Sequence, residues 1–387
     1  MLKFPISKEE FLSPSSKYRA LPFWGLNGEL KKDELERQID TFKKMGYGGF
    51  YMHARAGLVT PYLSDEFMEL IRACCEKAKE ENMIAGLYDE DRYPSGVAGG
   101  MVTRNPDFTR RYLRFTPYKN GCAPAGKVFR GFPRLENGKL LAIYKIELDE
   151  RGYLKGFTRL KEDTEGENIR YAYLEAQAAT TDKQQTYVDC LNPKAIQEFA
   201  RITYDRYKEK VGEFFGNVSP SIFTDEPQYA GQVCLNFALD ADDAILPWTN
   251  DIPETFLSAY GYDILDHIPE LIYDRIDALS KARLNYHDHI AERFAAAFSD
   301  TLGNWCRQNG IDFTGHIMSE GSLEGQTMRS GEAMRCYRAY DIPGIDVLGK
   351  VVLEYPTAKQ AQSAVRQQGS KGRLNSDKEL IYLSTVS

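Results

Sequence analysis

The chain has 387 residues, a formal net charge of −7 and a sequence pI near 5.5. Its basic residues are dispersed among a larger number of acidic ones, so a phosphate-backbone partner is not expected. No apolar run approaches the ~18 residues of a membrane span, and the N-terminus lacks the apolar stretch of a signal peptide. Seven cysteines without framework spacing predict free thiols in a reducing compartment, so we expect a cytoplasmic protein without a membrane partner.

The first 108 residues alternate between short apolar runs and amphipathic segments, which predicts βα units and a parallel sheet. The predicted strands are residues 19–24, 48–52 and 83–87, separated by helices at 31–45 and 65–81. Between residues 109 and 180 the pattern changes to β-type alternation with glycine-containing turns. This change predicts a β-rich insertion after the third strand.

The βα pattern resumes from residue 181 to the last residue, 387. The predicted elements are a helix from Pro193, strands at 221–223, 311–314 and 344–348, a helical excursion at 242–309, a helix at 357–368 and an irregular C-terminal tail. The total is about six βα units, whereas a closed barrel of this kind has eight. The predicted fold is therefore an α/β (β/α)8 TIM-type barrel that is incomplete and leaves open sheet edges.

Polar side chains follow one predicted strand after another. They are His53 and Arg55 at the second strand, Asp89, Glu90 and Asp91 after the third, Asp225 and Glu226 after the fourth, and His316 and Glu320 after the fifth. Because enzymes of this fold keep their catalytic groups at the carboxyl ends of the strands, these side chains predict one shared, acid-rich pocket.

Several motifs in this order together resemble one family. They are Pro22-Phe23-Trp24-Gly25-Leu26-Asn27-Gly28, Gly48-Gly49-Phe50-Tyr51-Met52-His53-Ala54-Arg55, Tyr88-Asp89-Glu90-Asp91 with Pro94-Ser95-Gly96, Phe223-Thr224-Asp225-Glu226-Pro227, Gly315-His316, Ile342-Pro343-Gly344-Ile345-Asp346 and Ala364-Val365-Arg366-Gln367. Over residues 20–368 the chain resembles glycoside hydrolase family 106 and its relatives. The resemblance implies a (β/α)8-barrel enzyme acting on α-L-rhamnosides, often from gut bacteria, with a carbohydrate as its partner.

The chain departs from this family after the helix at 357–368. The family pattern implies a seventh strand of the type Leu-Ser-Glu, which would supply another carboxylate. Residues 373–380 read Arg-Leu-Asn-Ser-Asp-Lys-Glu-Leu instead, so Asp377 and Glu379 are present but the surrounding pattern is not. We therefore expect a truncated chain with impaired catalysis, and a carbohydrate-binding remnant without turnover stays open as an alternative function.

Hydrolysis of a glycosidic bond needs two carboxyl groups, one that protonates the leaving oxygen and one that activates water or attacks the sugar. Glu226 is the predicted acid, because apolar neighbours such as Phe223 would raise its pKa. Glu320 is the predicted second carboxylate, and strand alternation predicts that Asp225 points away from Glu226. The residues predicted to bind substrate are Trp24, Asn27, His53, Arg55, Asp89, Asp91, Tyr93, Asp225, His316 and Asp346.

Each of these predictions has a structural alternative. Glu226 could cap a loop, Glu320 could be a solvated acid, and Trp24 could pack in the barrel floor rather than bind sugar. No metal ligand set is predicted, although the oxygens of Asp89, Glu90 and Asp91 leave a Ca²⁺ site open. A metal-dependent hydrolase using His53, Asp89 and His316 is a further alternative function.

Overall fold

The computed structural model describes residues 7–119, 138–162, 164–178, 186–276, 278–346, 355–368 and the pair 383–384. Thirteen strands lie within these ranges: β1 (Phe23–Gly28), β2 (Gly49–Leu58), β3 (Ile84–Tyr88), β4 (Arg111–Thr116), β5 (Lys139–Leu148), β6 (Leu154–Leu160), β7 (Ile169–Ala176), β8 (Ser221–Asp225), β9 (Ala244–Pro247), β10 (Asp312–His316), β11 (Ile342–Pro343), β12 (Ile345–Asp346) and β13 (Leu383–Ser384).

Twelve α-helices lie in the same part of the chain: α1 (Lys8–Leu12), α2 (Lys32–Lys44), α3 (Asp65–Glu80), α4 (Pro193–Phe199), α5 (Asp205–Val211), α6 (Ile252–Tyr260), α7 (Ile268–Ile272), α8 (Lys281–Phe294), α9 (Thr301–Asn309), α10 (Leu323–Arg329), α11 (Ala333–Tyr337) and α12 (Tyr355–Gln368). Two π-helical turns, Ala200–Tyr204 and Ala295–Asp300, continue α4 into α5 and α8 into α9. Pro193 begins α4 with Asn192 as its cap, as the sequence predicts.

Six parallel strands form the first sheet, in the order β1-β2-β3-β8-β10-β11. The parallel sheet and its α/β character confirm the coarse fold prediction. Strand β8 pairs directly with β3, so everything between them is inserted at one point of the sheet. Among the described strands no pairing joins β1 to β11, and the closed eight-unit barrel therefore stays a prediction.

The two faces of this sheet differ in composition because successive side chains in a strand point to opposite sides. One face, which we call the aromatic face, carries a separate cluster in which the partly buried Phe23 packs against the buried rings of Tyr51, Tyr88 and Phe223. The ring centroids of Phe23 and Phe223 are 4.8 Å apart in an edge-on arrangement. The opposite face packs against the helices in the main hydrophobic core, as expected for strands joined by helical crossovers.

The inserted segment forms an antiparallel sheet in the order β6-β5-β7-β4-β9. Strand β9 comes from the region 242–309, which the sequence predicts to be helical, so that prediction is wrong for residues 244–247. The run Ala-Ile-Leu-Pro is too short for its periodicity to distinguish a strand from a buried helix. The main core includes Leu113 and Tyr144 of this sheet together with residues of the parallel sheet, so both sheets share one core.

A buried ion-pair cluster lies in the antiparallel sheet. Both carboxylate oxygens of Glu175 accept hydrogen bonds of 2.9 Å from Arg114, and Asp243 accepts a third of 2.7 Å. The three side chains are 0%, 1% and 3% exposed. The three side chains are therefore removed from water and bonded to one another.

The tail contains a short strand rather than only irregular chain, because β13 pairs in parallel with β12. Asp377 and Glu379 lie outside the described residues. The six cysteines in the described ranges are free thiols. No helix in the same ranges combines the length and apolarity that crossing a membrane requires.

Candidate active site

The carboxyl ends of β3, β8 and β10 bring three polar side chains together. Asp225 and His316 are in register as the last residues of their strands, and Nε2 of His316 lies 3.0 Å from Oδ1 of Asp225. The Tyr88 hydroxyl donates to the other oxygen, Oδ2, at 2.6 Å. Burial alone would raise the pKa of Asp225, but the hydrogen bond from His316 and its charge hold that pKa below its usual value.

His316 lies between two carboxylates. Its Nδ1 is 3.6 Å from Oε2 of Glu320, beyond hydrogen-bond distance, so this contact is one of charge. Burial would lower the pKa of His316, but Asp225 and Glu320 together raise it well above its usual value. The ring is therefore charged at neutral pH. Glu320 is itself buried, and its Oε1 accepts a 2.7 Å hydrogen bond from the backbone N–H of Asp346.

Glu226 adopts a left-handed backbone conformation, with φ of 49°, which costs a non-glycine residue about 1–2 kcal/mol. This turn takes Glu226 out of the strand alternation. A carboxylate oxygen of Glu226, one of Asp346 and a ring nitrogen of His316 all lie within 4.8 Å of one another. The Asp225 and Glu226 side chains both lie beside His316, and that Asp225 points away from Glu226 stays a prediction.

The environment of Glu226 favours its neutral form. Burial raises the pKa of this carboxyl group to about 7, and the negative charges of Asp225 and Asp346 act in the same direction against the opposing charge of His316. A carboxylic acid with a pKa near neutrality can hold a proton at physiological pH and donate it in a reaction.

The three acids that follow β3 are engaged separately. Asp89 accepts from the Ser95 hydroxyl at 2.5 Å and from the Tyr204 hydroxyl at 2.8 Å, while burial raises its pKa to about 8. Asp91 accepts from Arg92 at 2.9 Å. Glu90 accepts five backbone N–H groups, those of Asp91, Gly96, Val97, Ala98 and Gly99. The carboxylates hold the loop at 89–99, and the geometry does not support the Ca²⁺ site left open for them.

His53 and Arg55 leave β2 beside this site. The His53 ring stacks on Tyr88 with centroids 3.6 Å apart, and its Nε2 is buried without a hydrogen-bond partner in the part of the chain that the structure describes. Burial lowers the pKa of His53 to about 4, so this histidine is neutral at neutral pH. The Arg55 guanidinium lies 5.8 Å from the ring centroid of Tyr93, which is 48% exposed.

Two predicted substrate-binding residues lie elsewhere. Trp24 is on the helical side of the sheet, where its ring packs against Phe42 and Phe50 and its Nε1 donates to Gln38 at 2.7 Å. Its position fits the packing alternative rather than a sugar platform. Asn27 is exposed near the end of β1, with no contact that connects it to His316 or Glu226 among the described residues.

Two residues of the site were not predicted, Tyr88 and Ser95. Tyr88 lies on the aromatic face of the sheet, on the same side of β3 as Gly86. The alternation of side chains along the strand could have predicted this position. Ser95 lies in a loop, where no periodicity applies. Its N–H donates to the Asp225 carbonyl at 2.7 Å, and its Oγ accepts from the Asp225 N–H at 2.8 Å.

Glu226, His316 and Asp346 are the one group among the described residues with ligand atoms close enough to share a metal ion. A metal-ligating histidine must be neutral, whereas Asp225 and Glu320 keep His316 charged. Binding of a metal ion by these three residues would therefore require His316 to release its proton. The ligand atoms of His53, Asp89 and His316 form no such close group among the described residues.

Comparison with known proteins gives a match of fold alone. No protein-family model and no curated protein matches the sequence. The structure of a rhamnosidase from Novosphingobium sp. PP1Y aligns with 93% of this chain at a TM-score of 0.59 and 13% identity. This chain spans 52% of that rhamnosidase's length.

A chitobiase from Flavobacterium johnsoniae aligns with 89% of this chain and 37% of its own, at 11% identity and a TM-score of 0.32. That similarity is too low to carry an argument. The chain therefore shares the fold of this part of the rhamnosidase.

Proposed function

We propose that this chain is a glycoside hydrolase that cleaves the O-glycosidic bond of α-L-rhamnoside-like substrates, with Glu226 as the general acid. One observation carries the proposal. The left-handed backbone at Glu226 brings a carboxyl group with a pKa of about 7 within 4.8 Å of a second carboxylate, Asp346. The pair lies at the carboxyl edge of a parallel sheet, where enzymes with this type of sheet carry out their chemistry.

In the proposed reaction, neutral Glu226 gives its proton to the glycosidic oxygen as the bond between that oxygen and the anomeric carbon breaks. A second carboxylate either takes a proton from the water that attacks the anomeric carbon, or attacks that carbon itself and is released when water cleaves the resulting glycosyl-enzyme bond. We assign this role to Asp346, which is half-buried and lies beside Glu226. Glu320, the residue predicted for it, is fully buried and bonded to the Asp346 backbone, a position that suits an orienting group.

The charged pair of Asp225 and His316 has a different part in this proposal. His316 lies between the carboxyl groups of Asp225 and Glu320, which raise its pKa. It offsets their negative charge, which would otherwise raise the pKa of Glu226 further. Tyr93 and Arg55 offer an exposed ring and a guanidinium group near the site, a combination that suits the apolar face and the hydroxyls of a sugar.

The rate should depend on pH through the protonation of Glu226. Since an acid must hold its proton to donate it, kcat is expected to fall tenfold per pH unit as pH rises above about 7. The measurement is the pH–rate profile of kcat for an unactivated glycoside. A profile without a descending limb near pH 7, or the same limb in Glu226→Gln, would contradict the assignment.

The proposal is tested with a panel of aryl glycosides that includes the α-L-rhamnoside, each assayed with the wild-type chain and with Glu226→Gln. The expected result is turnover of the rhamnoside that falls in the variant, most strongly for the aryl groups that leave least readily. Sugar binding without turnover by the folded wild-type chain would favour the carbohydrate-binding remnant. Turnover that chelators abolish and Glu226→Gln retains would favour the metal-dependent hydrolase.

A further inference from the structure

Ser95 binds both backbone groups of Asp225. The Ser95 N–H donates to the Asp225 carbonyl at 2.7 Å, and the Asp225 N–H donates to Ser95 Oγ at 2.8 Å. Ser95 is fully buried, so water cannot replace either contact. A loop residue outside the parallel sheet thus continues the hydrogen bonding of β8 at the point where that strand ends.

The orientation of the Ser95 hydroxyl is fixed by a second residue. Because Oγ accepts from the Asp225 N–H, its own proton is directed to Oδ1 of Asp89, which lies 2.5 Å away. The other oxygen of Asp89 accepts from the Tyr204 hydroxyl at 2.8 Å. Tyr204 lies in the π-helical turn between α4 and α5, an irregularity that is frequent at functional sites.

These contacts end at the peptide bond before Glu226. The carbonyl that Ser95 binds belongs to the peptide group that joins residues 225 and 226, and the orientation of this group determines φ of Glu226. A left-handed conformation at a residue with a side chain persists only where its surroundings hold it. Ser95 reaches both backbone groups of Asp225, the N–H through its Oγ and the carbonyl through its own backbone N–H.

We propose that Ser95, held in place by Asp89, is a positioning residue that keeps Glu226 in its left-handed conformation and so places the acid against Asp346. This inference rests on the proposed glycosidase function of Glu226. Ser95 has no contact with the Glu226 carboxyl group among its hydrogen bonds, so it acts through the backbone alone.

The test compares two buried serines. Ser95→Ala keeps the backbone N–H that binds the Asp225 carbonyl but removes the two Oγ contacts, with the Asp225 N–H and with Asp89, that hold this N–H in place. Ser221→Ala removes an equally buried hydroxyl at the other end of β8, where it bonds to Tyr51 at 2.7 Å. Misplacing a catalytic group by about 1 Å can cost about 100-fold in rate. We therefore expect Ser95→Ala to lower kcat by about 10- to 100-fold with little change in KM, and Ser221→Ala to lower it by less than about threefold.

Asp89 supplies a conservative variant that separates positioning from general structure. Asp89→Asn keeps one oxygen for the Ser95 hydroxyl, so its kcat should stay within about threefold of the wild-type value. In Asp89→Ala, kcat should fall as much as in Ser95→Ala. Equal losses of kcat in Ser95→Ala and Ser221→Ala, or a rise in KM without a change in kcat in Ser95→Ala, would overturn the inference.

Crystal structures of the wild type and of Ser95→Ala keep this test independent of the enzymatic assay. The expected difference is that Glu226 leaves the left-handed region in the variant. If it keeps that conformation, the inference is wrong whatever the activity of the wild type. If it leaves that conformation but the wild type hydrolyses no glycoside in the panel, the backbone role of Ser95 stands and the proposed function fails.

Discussion

Glu226→Gln is expected to lower kcat for an α-L-rhamnoside with a poor leaving group by about 10²–10⁴-fold, the usual contribution of a general acid. Glutamine has nearly the shape of the protonated acid but no proton to transfer. The loss should shrink for a nitrophenyl glycoside, because a stable leaving anion needs less protonation as the bond breaks. Steady-state kinetics across a series of leaving groups measures this dependence.

The matched control is Glu324→Gln, which makes the same chemical change at an exposed position of α10 and should leave kcat unchanged. A loss in Glu226→Gln that is equally large for good and poor leaving groups would contradict the role of an acid. It would point instead to a group that binds substrate or attacks the sugar.

Arg114→Met is expected to destabilise the fold by about 3–5 kcal/mol, the cost of removing one partner from a buried ion pair. Glu175 and Asp243, which are 1% and 3% exposed, would lose the three hydrogen bonds and the positive charge that Arg114 supplies. Urea denaturation gives the change in the free energy of unfolding through its midpoint at an unchanged slope.

Two further variants sharpen this prediction. Arg159→Met removes an arginine that pairs with Asp263 and Asp266 at the surface, and exposed pairs contribute only about 0–1 kcal/mol. Adding Glu175→Gln and Asp243→Asn to Arg114→Met replaces both buried carboxyl groups by neutral amides and should recover part of the loss. A cost for Arg114→Met no larger than that for Arg159→Met would show that the cluster does not stabilise the fold.

Periodicity alone predicts much of the parallel sheet. The strands ending at Tyr88, Asp225 and His316 and the helices between them follow from apolar runs, caps and helical spacing. The position of the candidate site follows too, because polar residues at the carboxyl ends of parallel strands meet at one edge.

The sequence does not predict which face of a strand a side chain occupies when the strand bounds are uncertain, or the value of a single backbone angle. The first strand is predicted at residues 19–24 but runs from Phe23 to Gly28, and the predicted span left the face of Trp24 open. The local pattern at Glu226 reads as a strand end, with no sign that this residue takes a left-handed conformation. In the sequence, Glu90 is a candidate ligand for Ca²⁺. In the structure its carboxylate accepts hydrogen bonds from five backbone N–H groups, which only the folded loop brings together.

The pairing of β4 with β9 has a consequence for how the molecule can be divided. Strand β9 follows β4 by more than a hundred residues, with β8 of the parallel sheet between them in the chain. Residues 109–180 are therefore not an excisable module, since expressing them alone would leave one side of β4 without its partner and divide the shared core. The two sheets should unfold in a single cooperative transition, and contacts between such distant segments favour slow folding.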